Sequence, residues 1–378
     1  MRLGHNEIMI TSMYFDDIND FINLEIGIKK FQGNMERFHF NPIPLNEYSR
    51  RLFPNIETLH LYSKDDEVFK DGRIFKYIIW YTISYSTYLK EKEEGSVYKN
   101  IEYTQSDREE HGNIIPLEVK SLGWKCFEYT DITSITIPKT ITKIQWDCFS
   151  NCSLTSITIP TTVSEIEDSC FDRCYSLKYI NIPSTISVLG VECFQNCLSL
   201  TNMSIDNTQF ISKERIFMNE PVLVRIEIPE CLEMINGKTF EKKDINEFII
   251  PSSITKLGNH CFSGCSSLKS VDIPASVSKI GWNCFCECSS LKKIKIPSSV
   301  SKIGDYCFEK CMSLKSVDIP SSVTEIGYKC FYNCLSLKTI NIPTAIIKIG
   351  DGCFYKCRCE KSLKKNKRIP ENCFNKYY

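Results

Sequence analysis

The residue type with the most chemistry to offer is cysteine, present at 21 of 378 positions. Sixteen of these thiols fall into two rows. Cys148, Cys170, Cys193, Cys261, Cys284, Cys307, Cys330 and Cys353 each precede a phenylalanine. Cys152, Cys174, Cys197, Cys265, Cys288, Cys311, Cys334 and Cys357 follow four residues later. Thiols serve as nucleophiles, disulfide partners or metal ligands. A structural zinc needs four ligands converging on a tetrahedron, whereas a Cys-x-x-x-Cys pair repeated at a fixed interval gives a continuous thiolate array. Two places carry an extra thiol, Cys286 and Cys359, where a stray fourth ligand could arise. Bridges between stacked cysteines fit the separations a disulfide tolerates. Yet the start MRLGHNEIMITSMYFDD has no apolar run of signal-peptide length. The reducing setting expected in consequence favours free thiols.

The remaining reading is packing, with each thiol a small buried hydrophobe. Substitution within the rows points the same way: Thr130 replaces the second cysteine of the first unit, and Ile216 and Thr239 stand before Phe217 and Phe240. Of the histidines His5, His39, His60, His111 and His260, only His260 lies well inside the array. It adjoins Cys261, but neighbouring side chains on an extended or turning backbone point apart, against a Cys–His dyad. No glycine-rich phosphate loop is present. Catalytic residues, metal ligands and cofactors are therefore assigned to none, and the chain reads as a non-enzyme.

Charge offers a different chemistry. Lys269, Lys292, Lys315 and Lys338 recur at one offset, stacking like charge on like charge, which opposes folding unless the side chains splay or meet an acidic surface. A neighbouring column, Asp272, Lys295, Asp318 and Asn341, alternates in charge and suits cross-strand pairing. These eight residues are the candidate partner-binding set. Arg358, Lys361, Lys364, Lys365, Lys367 and Arg368 form a basic cluster compatible with a soluble cap or peripheral contact with a membrane surface. Formal net charge is zero, which removes any general electrostatic reason to bind nucleic acid. No stretch has the length and apolarity of a transmembrane segment.

These residues are positioned by a period. Ile-Pro recurs ten times from Pro116 to Pro343, in steps of 22 or 23 residues when Asp206 stands for one missing proline. Within a unit, Leu314-x-x-Val317-x-Ile319 ends in β-branched alternation and reads as a short strand closed by Pro320. SSVSKIG is a second extended piece ended by Gly304, and DYCFEKC is a single helical or 3₁₀ turn. One unit buries too little to fold alone, so consecutive copies must stack as a solenoid.

SLKSVDIPSSVTEIGYKCFYNC, residues 313–334, resembles the BspA-like leucine-rich repeat. In that family a Ser-Leu-x-x-Ile-x-Ile-Pro strand is followed by a Val-x-x-Ile-Gly turn and an aromatic–cysteine element. The resemblance spans about residues 114–378 and weakens between Thr201 and Glu247. It implies a β-rich solenoid of about eleven 22–23-residue units that engages a protein partner, as relatives at the surfaces of gut bacteria and parasitic protists do. The expected division is an N-terminal helical or mixed capping domain over 1–110, the solenoid over 111–357 and a basic C-terminal cap over 358–378. Near the start, Phe15, Ile18, Phe21, Ile22 and Ile28 follow a broadly helical spacing, with Ser12 or Asp16 as caps. This stretch, with Leu24, Ile28, Lys29, Lys30 and Phe31 at its end, also resembles an F-box without its leading Leu-Pro. That resemblance implies an alternative role, a substrate receptor of a ubiquitin ligase. The expected location is cytoplasmic, or cell-surface-associated by a route without a signal peptide.

Overall fold

The computed structural model describes residues 4–92, 95–211, 215–240 and 247–376. The chain divides into two compact units, residues 1–112 with 116–122, and residues 113–115 with 123–378.

In the first unit, helices His5–Ser12 and Ile18–Gly27 are followed by short helical turns at Lys29–Phe31 and Met35–Arg37. The cap of the second helix is Asp17, whose carboxylate accepts the N–H groups of Asn19 and Asp20. Asp16 lies one residue too early, and Ser12 belongs to the first helix, where its hydroxyl donates to Met9 O. Phe21, Phe38 and Phe53 meet edge to face in the core of this segment. Coiling begins soon after. Strands Thr58–Leu61, Lys76–Ile79 and Ser96–Tyr98 pair in parallel at offsets of 18 to 19 residues. Strands Ile83–Ser84, Ile101–Tyr103 and Ser121–Leu122 do the same. The ambiguous stretch KYIIWYTISYSTYLK resolves into two strands and the helix Tyr85–Glu91.

The second unit is the solenoid, with parallel neighbours 22 or 23 residues apart: Lys143↔Glu165, Tyr179↔Asn202, Lys293↔Ser316. Each coil carries three ladders. One joins strands of the Ser316–Asp318 type, and a second joins pairs of the Lys302–Ile303 type. The third runs through the Cys-Phe turn. There the N–H groups of the residue before the first thiol, of the phenylalanine and of the residue before the second thiol donate to carbonyls of the following coil. Tyr306, Phe308 and Lys310 thus donate to Tyr328, Cys330 and Tyr332 at 2.7 to 2.8 Å. Between them, 3₁₀-type bonds such as Cys311 N–H to Phe308 O close the turn locally. The residues before the thiols are left-handed, for example Tyr306 at φ 54° and Lys310 at φ 55°. Most are not glycine, a recurrent backbone cost that the ladder must offset. Gly304 is needed instead for close approach: a Cβ there would lie 2.8 Å from Trp282 N in the preceding coil.

Inside, phenylalanines stack nearly parallel, Phe127–Phe149–Phe171–Phe194 at 5.3 to 5.7 Å and Phe262–Phe285–Phe308–Phe331–Phe354 at 5.1 to 6.0 Å. The two runs are separated by an antiparallel meander of Thr208–Ile211, Arg215–Met218 and Val222–Glu227. Its last strand starts the second run, pairing Val222 with Lys256. Met234–Ile235 instead joins Asn202–Ile205 of the first run, and Lys238–Thr239 closes that sheet antiparallel. At the C-terminal end, Glu360–Leu363 and Glu371–Phe374 lie over the last coil, with Leu363, Ile369, Cys373 and Phe374 buried.

Candidate functional site

All 21 cysteines are free thiols, and all but Cys231 are buried. The second row has a specific structural task. Cys152, Cys174, Cys288, Cys311, Cys334 and Cys357 each donate S–H to the carbonyl of the phenylalanine one coil earlier, at 2.8 to 3.1 Å. That carbonyl already accepts a turn N–H from its own coil, as Phe308 O does from Cys311 N. The thiol therefore satisfies the second lone pair of a buried acceptor. Thr130 imitates this within its own coil, donating to Phe127 O at 2.7 Å.

Burial also keeps the thiols protonated. It pushes Cys193 and Cys261 up to about 12, and it raises Cys170, Cys284, Cys330 and Cys353 well above the ordinary thiol range, neighbouring thiols adding to the effect. A protonated, buried thiol is a poor nucleophile. Cys286 is pushed up to about 12, by burial and then by Glu309, and Cys359 is raised first by its hydrogen bond with Cys357. Among the described residues no three His, Cys, Asp or Glu side chains converge. Ile216 is buried ahead of Phe217, whose ring meets Phe262 at 5.1 Å, so it keeps a place at the head of the second run. Thr239 does not. It is exposed on the closing strand Lys238–Thr239, because the chain has moved to the other sheet.

His260 packs edge-on against Trp282 at 4.2 Å, and its Nε2 has no partner among the described residues. Burial, then Arg225 and Arg215, lowers its pKa to about 4. The Cys261 thiol donates instead to Leu223 O, and among the described residues no hydrogen bond joins it to His260. A serine, an aspartate and a histidine that the sequence does not single out do meet in the first unit. Ser86 Oγ lies 3.4 Å from His111 Nε2, and its hydroxyl donates to Asp107. Asp107 also accepts from the N–H groups of Tyr85, Ser86 and Thr104. Although burial opposes it, these bonds from Ser86 and Thr104 hold the carboxyl below its usual range. With the carboxylate on the serine and not orienting the imidazole, the cluster is a helix-capping network and not a relay.

The charged face is better placed to meet a partner. Lys292 N–H donates to Lys269 O, Lys315 N–H to Lys292 O and Lys338 N–H to Lys315 O, so the four lysines stack in register. All four are exposed and none forms an ion pair among the described residues. At the strand spacing of about 4.8 Å, adjacent ammonium groups repel by roughly 1 kcal/mol in water, which splaying and salt reduce. Lys295 faces Asp318 in register, yet Asp272, Lys295 and Asp318 make no ion pair either. Asn341 is spent on the backbone. Its Nδ2 donates to Ile319 O at 2.8 Å while its Oδ1 accepts Ile319 N–H, tying two coils together as Asn181 does at Ile159. A groove of about 450 Å³ brings Asp318, Lys338 and Asn341 together with Ser362 and Leu363 of the C-terminal segment. Lys269, Lys292, Lys315, Lys295 and Asp272 lie outside it.

A second patch escaped the sequence reading because its residues flank the repeated letters. Lys329 Nζ lies 4.8 Å from the Tyr328 ring centre and 5.3 Å from that of Tyr332, which stacks on Tyr355 at 5.1 Å. The signal was tyrosine recurring at 306, 328, 332 and 355 beside the turn cysteines.

Parallel coils at 22–23-residue intervals, carrying aromatic and thiol rows inside and variable polar columns outside, define a leucine-rich repeat solenoid, an architecture of about eleven turns. The chain belongs to the BspA type leucine rich repeat family, whose profile matches in six copies over residues 120–244 and 233–361. No match is found among curated proteins. Similar solved structures include a leucine rich cell surface protein of Faecalibacterium prausnitzii, at 21% identity, 80% of this chain, 86% of that one and a TM-score of 0.41. A leucine-rich repeat protein of Bacteroides ovatus follows at 25%, 85%, 83% and 0.32, and the pneumococcal vaccine antigen PcpA at 19%, 75%, 77% and 0.39. The family is one of repeat scaffolds that bind other proteins. No helix among the described residues is long and apolar enough to cross a membrane.

Proposed function

We propose that the chain is a non-enzymatic scaffold whose lysine-bearing strand face, centred on Lys269, Lys292, Lys315 and Lys338, receives an acidic segment of a protein partner. The observation that carries this reading is the in-register column of four exposed, unpaired ammonium groups. An arrangement that repels itself in the free protein is relieved when carboxylates approach along the column. Asp272, Lys295 and Asp318 flank the column, Lys295 facing Asp318 in register, while Asn341 shapes the face through its backbone bonds.

The test uses a fluorescent polyglutamate peptide. The wild type binds it with an affinity that falls as salt rises, and the variant carrying all four lysines as glutamate does not. Equal binding by both removes the reading. Surface association, the setting in which relatives of this family work, is tested separately with a membrane-impermeant label on intact cells. Protection of the chain from the label would place its partner inside.

A second reading is favoured by one observation in the first unit. Ile10, Met13, Tyr14, Ile26 and Ile28 are exposed around the helices His5–Ser12 and Ile18–Gly27. Such a surface suits docking to the adaptor of a ubiquitin ligase, with the repeats holding a substrate. Co-purification with that adaptor supports it, and failure to bind the purified adaptor at micromolar concentration removes it.

A further inference from the structure

In eight of the nine Cys-Phe turns, three N–H groups are satisfied by the next coil or by the C-terminal cap. The exception is the turn at residues 192–196. Ser169, Phe171 and Arg173 of the coil before it donate to Val191, Cys193 and Gln195 as the rule requires. In the exceptional turn Glu192 N–H donates to the side chain of Glu227, at 3.2 Å, and the N–H groups of Phe194 and Asn196 donate to nothing among the described residues. The turn itself is regular: Glu192 and Asn196 have φ values of 58° and 56°, as at the same places in other coils. Both donors therefore point where the next coil's carbonyls would lie. That coil is missing because Met234–Ile235 has joined the sheet of Asn202–Ile205.

A groove of about 510 Å³ occupies the place, lined by Phe194, Asn196 and Leu198 on one side and Glu227, Pro229 and Glu230 on the other, with Glu192 beside them. Two donors one residue apart suit either an anion or the carbonyls of an extended chain. Three carboxylates on the lining decide between them. Arg225, which pairs with Glu227 at 3.5 Å, is buried at 1% exposure and does not line the groove. An anion meets repulsion here. A neutral carbonyl flanked by positive side chains does not, and Leu198, 62% exposed, adds apolar contact.

We infer that this groove receives an extended, lysine- or arginine-bearing segment of a partner protein, whose main-chain carbonyls accept the N–H groups of Phe194 and Asn196 and so complete the missing rung. The site takes a basic partner and the lysine face takes an acidic one, so the failure of either leaves the other standing.

Amide exchange measured residue by residue on the full chain tests this. In the free protein Phe194 and Asn196 should exchange at least about tenfold faster than Phe171 and Arg173, their counterparts one coil earlier. A blocked Lys-Val-Lys-Val-Lys-Val peptide at millimolar concentration should slow both amides by about tenfold, while the Glu-Val-Glu-Val-Glu-Val peptide and inorganic phosphate leave them unchanged. The variant combining Glu192→Lys and Glu230→Lys should lose the response. The inference is overturned if the two amides are as protected as Phe171 in the free protein, if the basic peptide leaves them unprotected, or if phosphate or the acidic peptide protects them equally. The wild-type rates decide the matter even if the variant does not fold.

Discussion

At residues 352–356 the turn ladder ends on three satisfied N–H groups, and at residues 192–196 it ends on one. Gly352 and Phe354 donate to Asn372 and Cys373 of the C-terminal segment, and Lys356 donates to the Glu360 carboxylate. Phe374 continues the ring stack over Phe354 at 6.2 Å. The internal end has a single substitute, Glu227, and among the described residues no ring beyond Phe171 stacks on Phe194. A solenoid must dispose of its last rung, because an open ladder presents unpaired donors and apolar edges. One end does so with the C-terminal cap. The other stays open because the meander removes the coil that would have covered it.

The comparison breaks most readily at the capped end. Phe374→Ala removes a ring that is 5% exposed and should cost about 3 kcal/mol in a denaturant or thermal unfolding measurement. Leu198→Ala, on the open groove, should change stability by less than about 0.5 kcal/mol. Equal costs for the two would mean that the internal end is covered after all.

How far this was readable from the letters follows from what each feature demands. The repeated coils were legible because Ile-Pro, Ile-Gly and Cys-Phe each answer to a fixed need: ending a strand, admitting a close backbone approach, and filling an interior ring and thiol site. The coils at residues 58–122 were not, because a parallel ladder asks only for apolar residues facing inward at any constant offset. Leu59, Ile79, Ile83 and Ile101 supply that without repeating any motif. The break was half legible. Phe217 holds the position the period assigns, yet it does so from an antiparallel strand. Thr239, also in phase by sequence, has left the row. Among the candidate binding residues, the stacking of the four lysines could be counted off the sequence. That Asn341 is committed to Ile319 could not, since an amide column reads the same whether it faces solvent or backbone.

A pH experiment sharpens the contrast at the start of the second run, where the meander's buried Arg225 approaches His260. Burial, Arg225 and Arg215 depress this histidine from 6.5 to about 4 in the folded state. Between these values the unfolded chain binds a proton that the folded chain does not. The stability that the neutral imidazole contributes is therefore complete above about pH 6.5 and lost as pH falls toward 4, by at most roughly 3 kcal/mol. His260→Asn, which suits the left-handed φ of 54° there, should flatten the profile across that window relative to wild type. An unchanged slope would show that the imidazole titrates normally and that the buried arginines do not act on it.

The smallest effect separates the thiol as donor from the thiol as filler. Cys334 donates to Phe308 O at 3.0 Å within the second run, as Cys174 does to Phe149 O in the first. Cys334→Ala removes the donor and leaves a carbonyl lone pair unmet, which should cost about 1 kcal/mol beyond the small loss of volume. Cys334→Ser keeps a hydroxyl donor in nearly the same place and should recover most of that bond. The same pair of substitutions at Cys174 should give matching values, because the local geometry repeats in both runs. If serine is worse than alanine at both positions, desolvating the hydroxyl outweighs the bond it makes. The second row would then be held by packing alone.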